Sequence, residues 1–130
     1  ITPVLAHPER NHGFQKNPER LYDFIEMGCL SQLTSSSYLG VFGDHVEELT
    51  QRFIDANLGF IFASDAHNFK GRRFLMRDAF NKLTKKTTER KATSFNYNAK
   101  AIVNGDSIAT DDILHVSEVK KRKKKRFWLF

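Results

Sequence analysis

The sequence has little cysteine and proline, and it has no long apolar run. Its one cysteine, Cys29, cannot form a disulfide within the chain, so we expect a reducing compartment. Its position between Gly28 and Leu30 is more typical of a small buried residue than of a nucleophile. No apolar run approaches the roughly 20 residues that a membrane-spanning helix requires. The 130 residues are enough for one modest domain with its own core.

Positive charge is abundant, but it is concentrated near the C-terminus. Seven of the charges behind the net +6 lie in residues 120–126, so the remainder of the chain carries −1. A nearly neutral body argues against a nucleic-acid-binding surface on the folded part. We therefore divide the chain into a domain at residues 1–115 and a basic, aromatic tail at 116–130. The tail is interpreted either as a solvated segment or as one that contacts an anionic membrane surface.

One short apolar stretch is followed by an acid and an imidazole. Residues 60–63 are apolar at both odd and even positions, which is typical of a strand covered on both faces. Asp65 and His67 follow two residues apart, so on an extended chain they point to the same side. The alternative interpretation is a capped turn, for which Ser64 and Asp65 are also suitable.

A second strand-like stretch, residues 1–6, ends in a histidine. Pro8 stops the strand directly after His7, and Arg10 follows on the next loop. Because a strand begins at the first residue without any lead-in, we expect a preceding segment to belong to the same fold.

The remaining chain alternates between helices and strands. A helix capped by Asn17, with Pro18 at its first position, is expected to end at Gly28. Asp44 and Glu47 resemble a capping box at the start of another helix. The other predicted elements are a strand at 29–34, a Ser- and Gly-rich loop at 35–43, and helices over about 73–86 and 88–103. This alternation predicts an α/β fold of parallel βα units, with its chemistry at the C-terminal ends of the strands.

Three potential metal ligands, His7, Asp65 and His67, fall at the C-terminal ends of predicted strands. Histidine and carboxylate ligands without thiolates suit a divalent metal such as Mn, Fe or Zn. Such a metal lowers the pKa of its bound water and so supplies hydroxide near neutral pH. Three ligands are too few for a site with several metals, so we expect the remaining ligands to come from elsewhere.

Arginines accompany both groups of potential ligands. Arg10 is three residues after His7, and Arg72 and Arg73 come after the Asp65–His67 pair. Guanidinium groups match the oxygens of a phosphate in a two-pronged way. Metal ligands and arginines at one edge favour phosphoester hydrolysis, and the alternative is that the arginines are solvated loop charges.

Polar residues of the second predicted strand and its loop are weaker candidates. Gln32, Thr34 and Ser37 are expected to face the same edge. One interpretation is a contact with substrate or ligands, and the other is ordinary turn and capping duty.

Four motifs resemble one bacterial enzyme family: AHPERN from Ala6, QLTSSSYLG from Gln32, ASDAHN from Ala63 and AIVNGDSI from Ala101. The chain is similar to the C-terminal half of the PHP-type (polymerase and histidinol phosphatase) protein-tyrosine phosphatases. These are manganese-dependent enzymes encoded with capsule and exopolysaccharide genes. The resemblance implies that the chain is the C-terminal part of a distorted β/α barrel with a metal cluster at its mouth.

The resemblance also implies roles for individual residues. Arg10 and Arg72 would be the catalytic residues that hold the substrate phosphate, with Arg73 as the alternative to Arg72. The implied substrate is a phosphotyrosine protein, a membrane-associated tyrosine kinase of polysaccharide synthesis, which implies a location in the cytoplasm or at the inner face of the membrane. The implied ligands of the manganese, with Fe or Zn as alternatives, are His7, Asp65 and His67.

The chain departs from the family pattern at its start. The family opens with a strand bearing His-x-His and supplies further His and Glu ligands, which this sequence does not contain, so we expect weak or no activity from the chain alone. His12, His45 and His115 are interpreted as structural or solvated and not as replacements. Two alternatives remain: another PHP-type enzyme, such as a histidinol-phosphate phosphatase, or a non-catalytic module that binds the kinase.

Overall fold

The protein is an α/β structure built on a small parallel sheet. The computed structural model describes residues 1–64 and 73–119. Its strands are β1 (Val4–Ala6), β2 (Leu30–Thr34) and β3 (Ile61–Ala63). They pair in the order β1-β2-β3, and both pairs are parallel. The predicted α/β class and parallel pairing are therefore confirmed.

Helices connect and cover these strands. A short 3-10 helix, Pro8–Arg10, follows β1 directly. The α-helices are α1 (His12–Lys16), α2 (Glu19–Glu26), α3 (Ser35–Tyr38), α4 (Asp44–Asp55), α5 (Arg73–Lys86) and α6 (Glu89–Asn104). Among the described helices, none is both long and apolar enough to cross a membrane.

The helix boundaries agree with the sequence in some places and differ in others. The helix predicted over about 88–103 is α6, which Thr88 caps and after which Gly105 takes the left-handed conformation. Two predicted caps are wrong. The N-cap of α2 is Pro18 and not Asn17, and α4 follows Gly43, with no side-chain capping bond from an Asp44–Glu47 box.

The predicted Ser- and Gly-rich loop at 35–43 is wrong in its first half. Residues Ser35–Tyr38 form the short helix α3, and all four are buried. Serine favours helices weakly, so packing and not local propensity decides this turn. Tyr38 is the reason for the burial, because its ring stacks at 5.6 Å on the ring of Phe62 in β3.

The core lies on both faces of the sheet. Fully buried side chains come from every layer, including Leu21 of α2, Leu33 of β2, Phe53 of α4 and Phe95 of α6. The Phe95 ring lies 4.9 Å from that of Phe62, so α6 packs against β3. Cys29, predicted to be buried, is half-buried, and Val103 near the end of α6 is 86% exposed.

The segment after α6 returns to the core. Leu114 N donates to the carbonyl of Ala56 at 2.9 Å, and Val116 is buried. Glu19 of α2 accepts from Ser117 N at 2.9 Å and contacts His115 Nδ1 at 3.0 Å. These contacts hold residues 114–117 against α2 and the turn that precedes β3.

Candidate functional site

The candidate site lies where the parallel strands end. Ala6 of β1 is level with Gln32 of β2, and Thr34 of β2 is level with Ala63 of β3. We call this the C-terminal edge of the sheet. β1 and β3 are separated by one strand, so their ends are about 10 Å apart. Side chains that follow the two strands can therefore reach a common point.

His7 is the first residue beyond β1. Its N–H donates to the carbonyl of Gln32 at 2.8 Å, which extends the ladder by one bond. Its backbone is left-handed, with φ 36° and ψ 61°. A non-glycine residue in this region is strained, and such strain collects at functional sites. The residues around His7 must therefore hold its backbone in this strained conformation.

Arg10 closes the turn that His7 opens. Its N–H donates to the carbonyl of His7 at 3.0 Å across the 3-10 helix. Its Cζ lies 4.1 Å from the centroid of the Phe42 ring, within the range of a cation–π contact. His7 and Arg10 thus lie on one short, hydrogen-bonded turn at the C-terminal edge.

Glu9 lies between these two residues and is fully buried. Its Oε1 accepts a hydrogen bond from Thr34 N, at the end of β2, at 2.9 Å. Burial raises the pKa of the Glu9 carboxyl, and the bond from Thr34 opposes this in part. No role is predicted for Glu9 from the sequence, although a charged side chain directly after Pro8 in a fixed turn is a signal for one.

Several hydroxyl side chains at the end of β2 and in α3 are buried. Within the described residues, Glu9 Oε2 has no hydrogen-bond partner, and the same is true of the hydroxyl oxygens of Thr34, Ser35 and Ser37. The Ser37 hydroxyl still favours the charged form of Glu9 and lowers its pKa. Gln32 and Thr34 lie in β2, within the predicted strand at 29–34. Thr34 and Ser37 contribute buried polar atoms beneath the edge.

Several predicted site residues fall outside the described residues. Asp65 and His67, the predicted ligands after β3, are among them, and so is Arg72. Arg73 is the first residue of α5, and its side chain lies outside the described part. The structure therefore places His7 and Arg10 on one turn. It describes β3 and the residue that follows it, Ser64, but not Asp65.

The other histidines do not assemble a metal site. His12 is the first residue of α1 and is exposed. His45 is exposed in the first turn of α4. His115 stacks on Tyr22 at 3.7 Å and pairs with Glu19. Within residues 1–64 and 73–119, no three His, Cys, Asp or Glu side chains form a group that could hold a metal.

A metal at the C-terminal edge would therefore need ligands beyond the described ones. His7 supplies an imidazole at this edge, and a carboxylate and a second imidazole follow β3 in the sequence. This donor set suits a borderline divalent ion such as Mn, Fe or Zn. A cavity of about 570 Å³ lies elsewhere, beside the starts of β1 and β2, and is lined by Ile1, Gly28 and Asp106 among others.

Comparison with known proteins gives the chain its relatives. A family model described as "Capsular polysaccharide synthesis, CpsB/CapC" matches residues 1–104. The tyrosine-protein phosphatase YwqE of Bacillus subtilis is 39% identical over 106 residues, which cover 82% of this chain and 42% of YwqE. The tyrosine-protein phosphatase CpsB of Streptococcus pneumoniae is 35% identical over 97 residues, covering 71% and 40%.

Solved structures agree with this relationship. One chain superposes with a TM-score of 0.83 and 36% identity, over 88% of this chain and 47% of the other. It comes from the crystal structures of YwqE from Bacillus subtilis and CpsB from Streptococcus pneumoniae, described as metal-dependent tyrosine phosphatases. The chain spans less than half the length of these relatives. With most of its length matched by the family model, the chain belongs to the CpsB/CapC family of capsular polysaccharide synthesis.

Proposed function

We propose that this chain is part of a metal-dependent protein-tyrosine phosphatase of capsule or exopolysaccharide synthesis. The observation that carries the proposal is that His7 and Arg10 share one hydrogen-bonded turn at the C-terminal edge. An imidazole ligand and a phosphate-binding guanidinium are the two groups that metal-assisted phosphoester hydrolysis requires close together. The relatives, which are named tyrosine-protein phosphatases, support the substrate class.

The proposed metal is Mn²⁺, with Fe or Zn as alternatives. His7 would hold it with Asp65 and His67, and further ligands would come from the part of the relatives that this chain does not match. When bound, the metal lowers the pKa of a coordinated water and supplies hydroxide near neutral pH. The chain alone, with too few ligands for a multinuclear site, is expected to be weak or inactive.

The arginines are proposed to hold the phosphate. Arg10 lies on the same hydrogen-bonded turn as His7, and its guanidinium would bind a phosphate held at the same edge. Arg72 is the second proposed phosphate ligand, and Arg73, at the start of α5, is the alternative. Two guanidinium groups would neutralise the phosphate and hold it in line for attack.

The proposed fold of the whole protein is a distorted β/α barrel of which residues 1–115 form the C-terminal part. The consecutive parallel order β1-β2-β3, with helices between the strands, is the connectivity of a barrel segment. β1 is at the edge of the described sheet, and its Val4 is partly exposed. A further strand placed beside β1 would cover this edge.

The proposed substrate is the phosphotyrosine segment of a membrane-associated tyrosine kinase. The protein would then work in the cytoplasm. There, the positively charged residues 120–126 would contact anionic lipid at the inner face of the membrane. Pelleting with anionic vesicles at low and high salt, before and after removal of residues 120–130, tests the contact. Equal pelleting of both forms would contradict a membrane role for the tail.

His7→Ala tests the metal proposal in the intact protein, by which we mean the chain together with the segment that would supply the further ligands. We expect its Mn²⁺ affinity, measured by titration calorimetry, to fall by at least about tenfold, with a parallel loss of phosphotyrosine-peptide hydrolysis. His45→Ala is the matched control, because His45 is an exposed histidine in α4. If His7→Ala bound Mn²⁺ as tightly as His45→Ala, His7 would not be a ligand and the proposal would be wrong.

Arg10→Lys tests the phosphate contact. Lysine keeps the charge but loses the two-pronged geometry, so we expect kcat/KM for the peptide to fall by about tenfold or more. Arg20→Lys, at an exposed position of α2, is the control and should leave the rate unchanged. Unaltered kinetics in Arg10→Lys would show that Arg10 does not contact the phosphate.

A further inference from the structure

We propose that Phe42 is a positioning residue for the phosphate-binding guanidinium of Arg10. This inference rests on the proposed phosphatase function. The observation behind it is that Arg10 Cζ lies 4.1 Å from the centroid of the Phe42 ring. At this distance the positive charge is attracted by the electron-rich face of the ring. The ring therefore contributes to holding the Arg10 side chain in place.

The position of the ring is set by the backbone around it. Phe42 lies between Gly40 and Gly43, which have φ of 85° and 97°, a conformation that glycine adopts without strain. Val41 N donates to the carbonyl of Ser36, and Gly43 N donates to the carbonyl of Gly40, both at 3.1 Å. This turn follows β2 and α3, so it presents the ring at the same edge as the His7–Arg10 turn.

Burial alone does not explain an aromatic residue here. Phe42 is 39% exposed, and its neighbour Val41 is 56% exposed, so the turn is at the surface. The contact is between the face of the Phe42 ring and the positive charge of Arg10, and it is not a hydrogen bond. The in-plane N–H donors that recognise a phosphate are therefore not consumed by the ring. The Arg10 guanidinium can therefore keep its contact with Phe42 while its N–H groups bind a phosphate.

Restraining Arg10 before substrate arrives should favour catalysis. A long side chain loses conformational freedom when it is immobilised on binding, and a side chain that is already held loses less. Together with the cation–π attraction, this predicts a three- to tenfold contribution to kcat/KM, as an order-of-magnitude estimate. The effect should depend on the aromatic face and not on apolar volume.

Two substitutions separate these possibilities in the intact, manganese-loaded protein. Phe42→Leu keeps an apolar side chain but removes the aromatic face, whereas Phe42→Tyr keeps the face. We expect Phe42→Leu to lower kcat/KM for a phosphotyrosine peptide by about three- to tenfold and Phe42→Tyr to stay near the original rate. Tyr97→Leu, at an aromatic residue on α6 that is 65% exposed, is the control for general effects.

A cycle with Arg10→Gln tests whether the ring acts through Arg10. In that background Phe42→Leu should lower the rate no further, because the charge that the ring restrains is gone. Nuclear magnetic resonance of the Arg10 Nε–H group gives a second readout that needs no activity. Its ring-current shift should be present in the original protein and in Phe42→Tyr and absent in Phe42→Leu.

The outcomes distinguish this inference from the proposed function. Peptide hydrolysis by the original protein, with equal kcat/KM in Phe42→Leu, would overturn the role of Phe42 alone. An equal loss in Phe42→Tyr and Phe42→Leu, or the same loss with and without Arg10, would also overturn it. Absence of hydrolysis by the manganese-loaded protein that includes the segment supplying the further ligands would overturn the phosphatase proposal and this inference with it, whatever the resonance of Arg10 reports.

Discussion

The buried carboxylate of Glu9 joins the His7–Arg10 turn to the end of β2, because its Oε1 accepts the hydrogen bond of Thr34 N at 2.9 Å. The carbonyl of the same residue accepts from Gln15 Nε2 at 3.0 Å, which adds α1 to the connection. One side chain and its backbone thus hold the candidate site to two neighbouring elements.

Glu9→Ala should destabilise the protein by about 1–3 kcal/mol, because it leaves the buried Thr34 N–H without its acceptor. Glu9→Gln should cost less, since its amide oxygen can still accept that bond. Urea unfolding of both variants measures the difference. Glu48→Ala, at an exposed position of α4, is the control, and a cost of Glu9→Ala no larger than that of the control would refute this account.

The left-handed backbone of His7 predicts an unusual order of stability between two substitutions. His7→Gly should be more stable than His7→Ala by about 1 kcal/mol, because φ of 36° suits glycine and strains alanine. At an ordinary position the order is the reverse. Thermal unfolding of the two variants tests this, and neither should bind Mn²⁺ as the original protein does. A more stable alanine variant would contradict the left-handed assignment.

Gly59 and Leu33 form a contact that leaves no room for a methyl group. A Cβ added at Gly59 would lie 3.1 Å from Leu33 Cγ and closer still to its Cδ1. Gly59→Ala should therefore destabilise the protein by about 1–3 kcal/mol. In a Leu33→Ala background the same substitution should cost much less, as chemical denaturation of the four proteins would show. Additive costs would indicate that the strain is elsewhere.

Lys91 predicts a pH dependence of stability. Burial lowers the pKa of its ammonium below the ordinary 10.5, although the charges of Asp112 and Asp55 oppose this. Between the two pKa values the unfolded chain binds more protons than the folded one, so the free energy of unfolding rises with pH in that window. Relative to Lys91→Met, the original protein should gain stability as the pH rises towards about 10.5. A stability difference that is constant from pH 7 upward would refute it.

The sequence predicts the sheet well because its signals are local. Apolar stretches bounded by Pro8, Gly28 and Asn57 locate the strands, and the helices between them impose parallel pairing. The helix α3 is not predictable in this way. Ser35, Ser36 and Ser37 favour turns by themselves, and they become helical because Tyr38 packs into the core beside Phe62.

The sequence predicts the candidate metal and phosphate ligands, but it does not predict the residues that hold them in place. His7 and Arg10 follow a strand end in a pattern that indicates their chemistry. The burial of Glu9 and the contact between Arg10 and Phe42 depend on residues far apart in sequence, which no local spacing contains. The roles of Asp65, His67 and Arg72 stay predictions.

The connection between Glu19 and Ser117 has a consequence for how the chain is made. β2 pairs with β1 and β3 pairs with β2, so the described sheet can assemble in the order of translation. The contact from Glu19 to Ser117 instead joins residues 98 positions apart and must wait until Ser117 has left the ribosome. We expect this docking to be the last step of folding, and nascent chains halted before Ser117 to be cleaved by proteases near α2 more readily than completed ones.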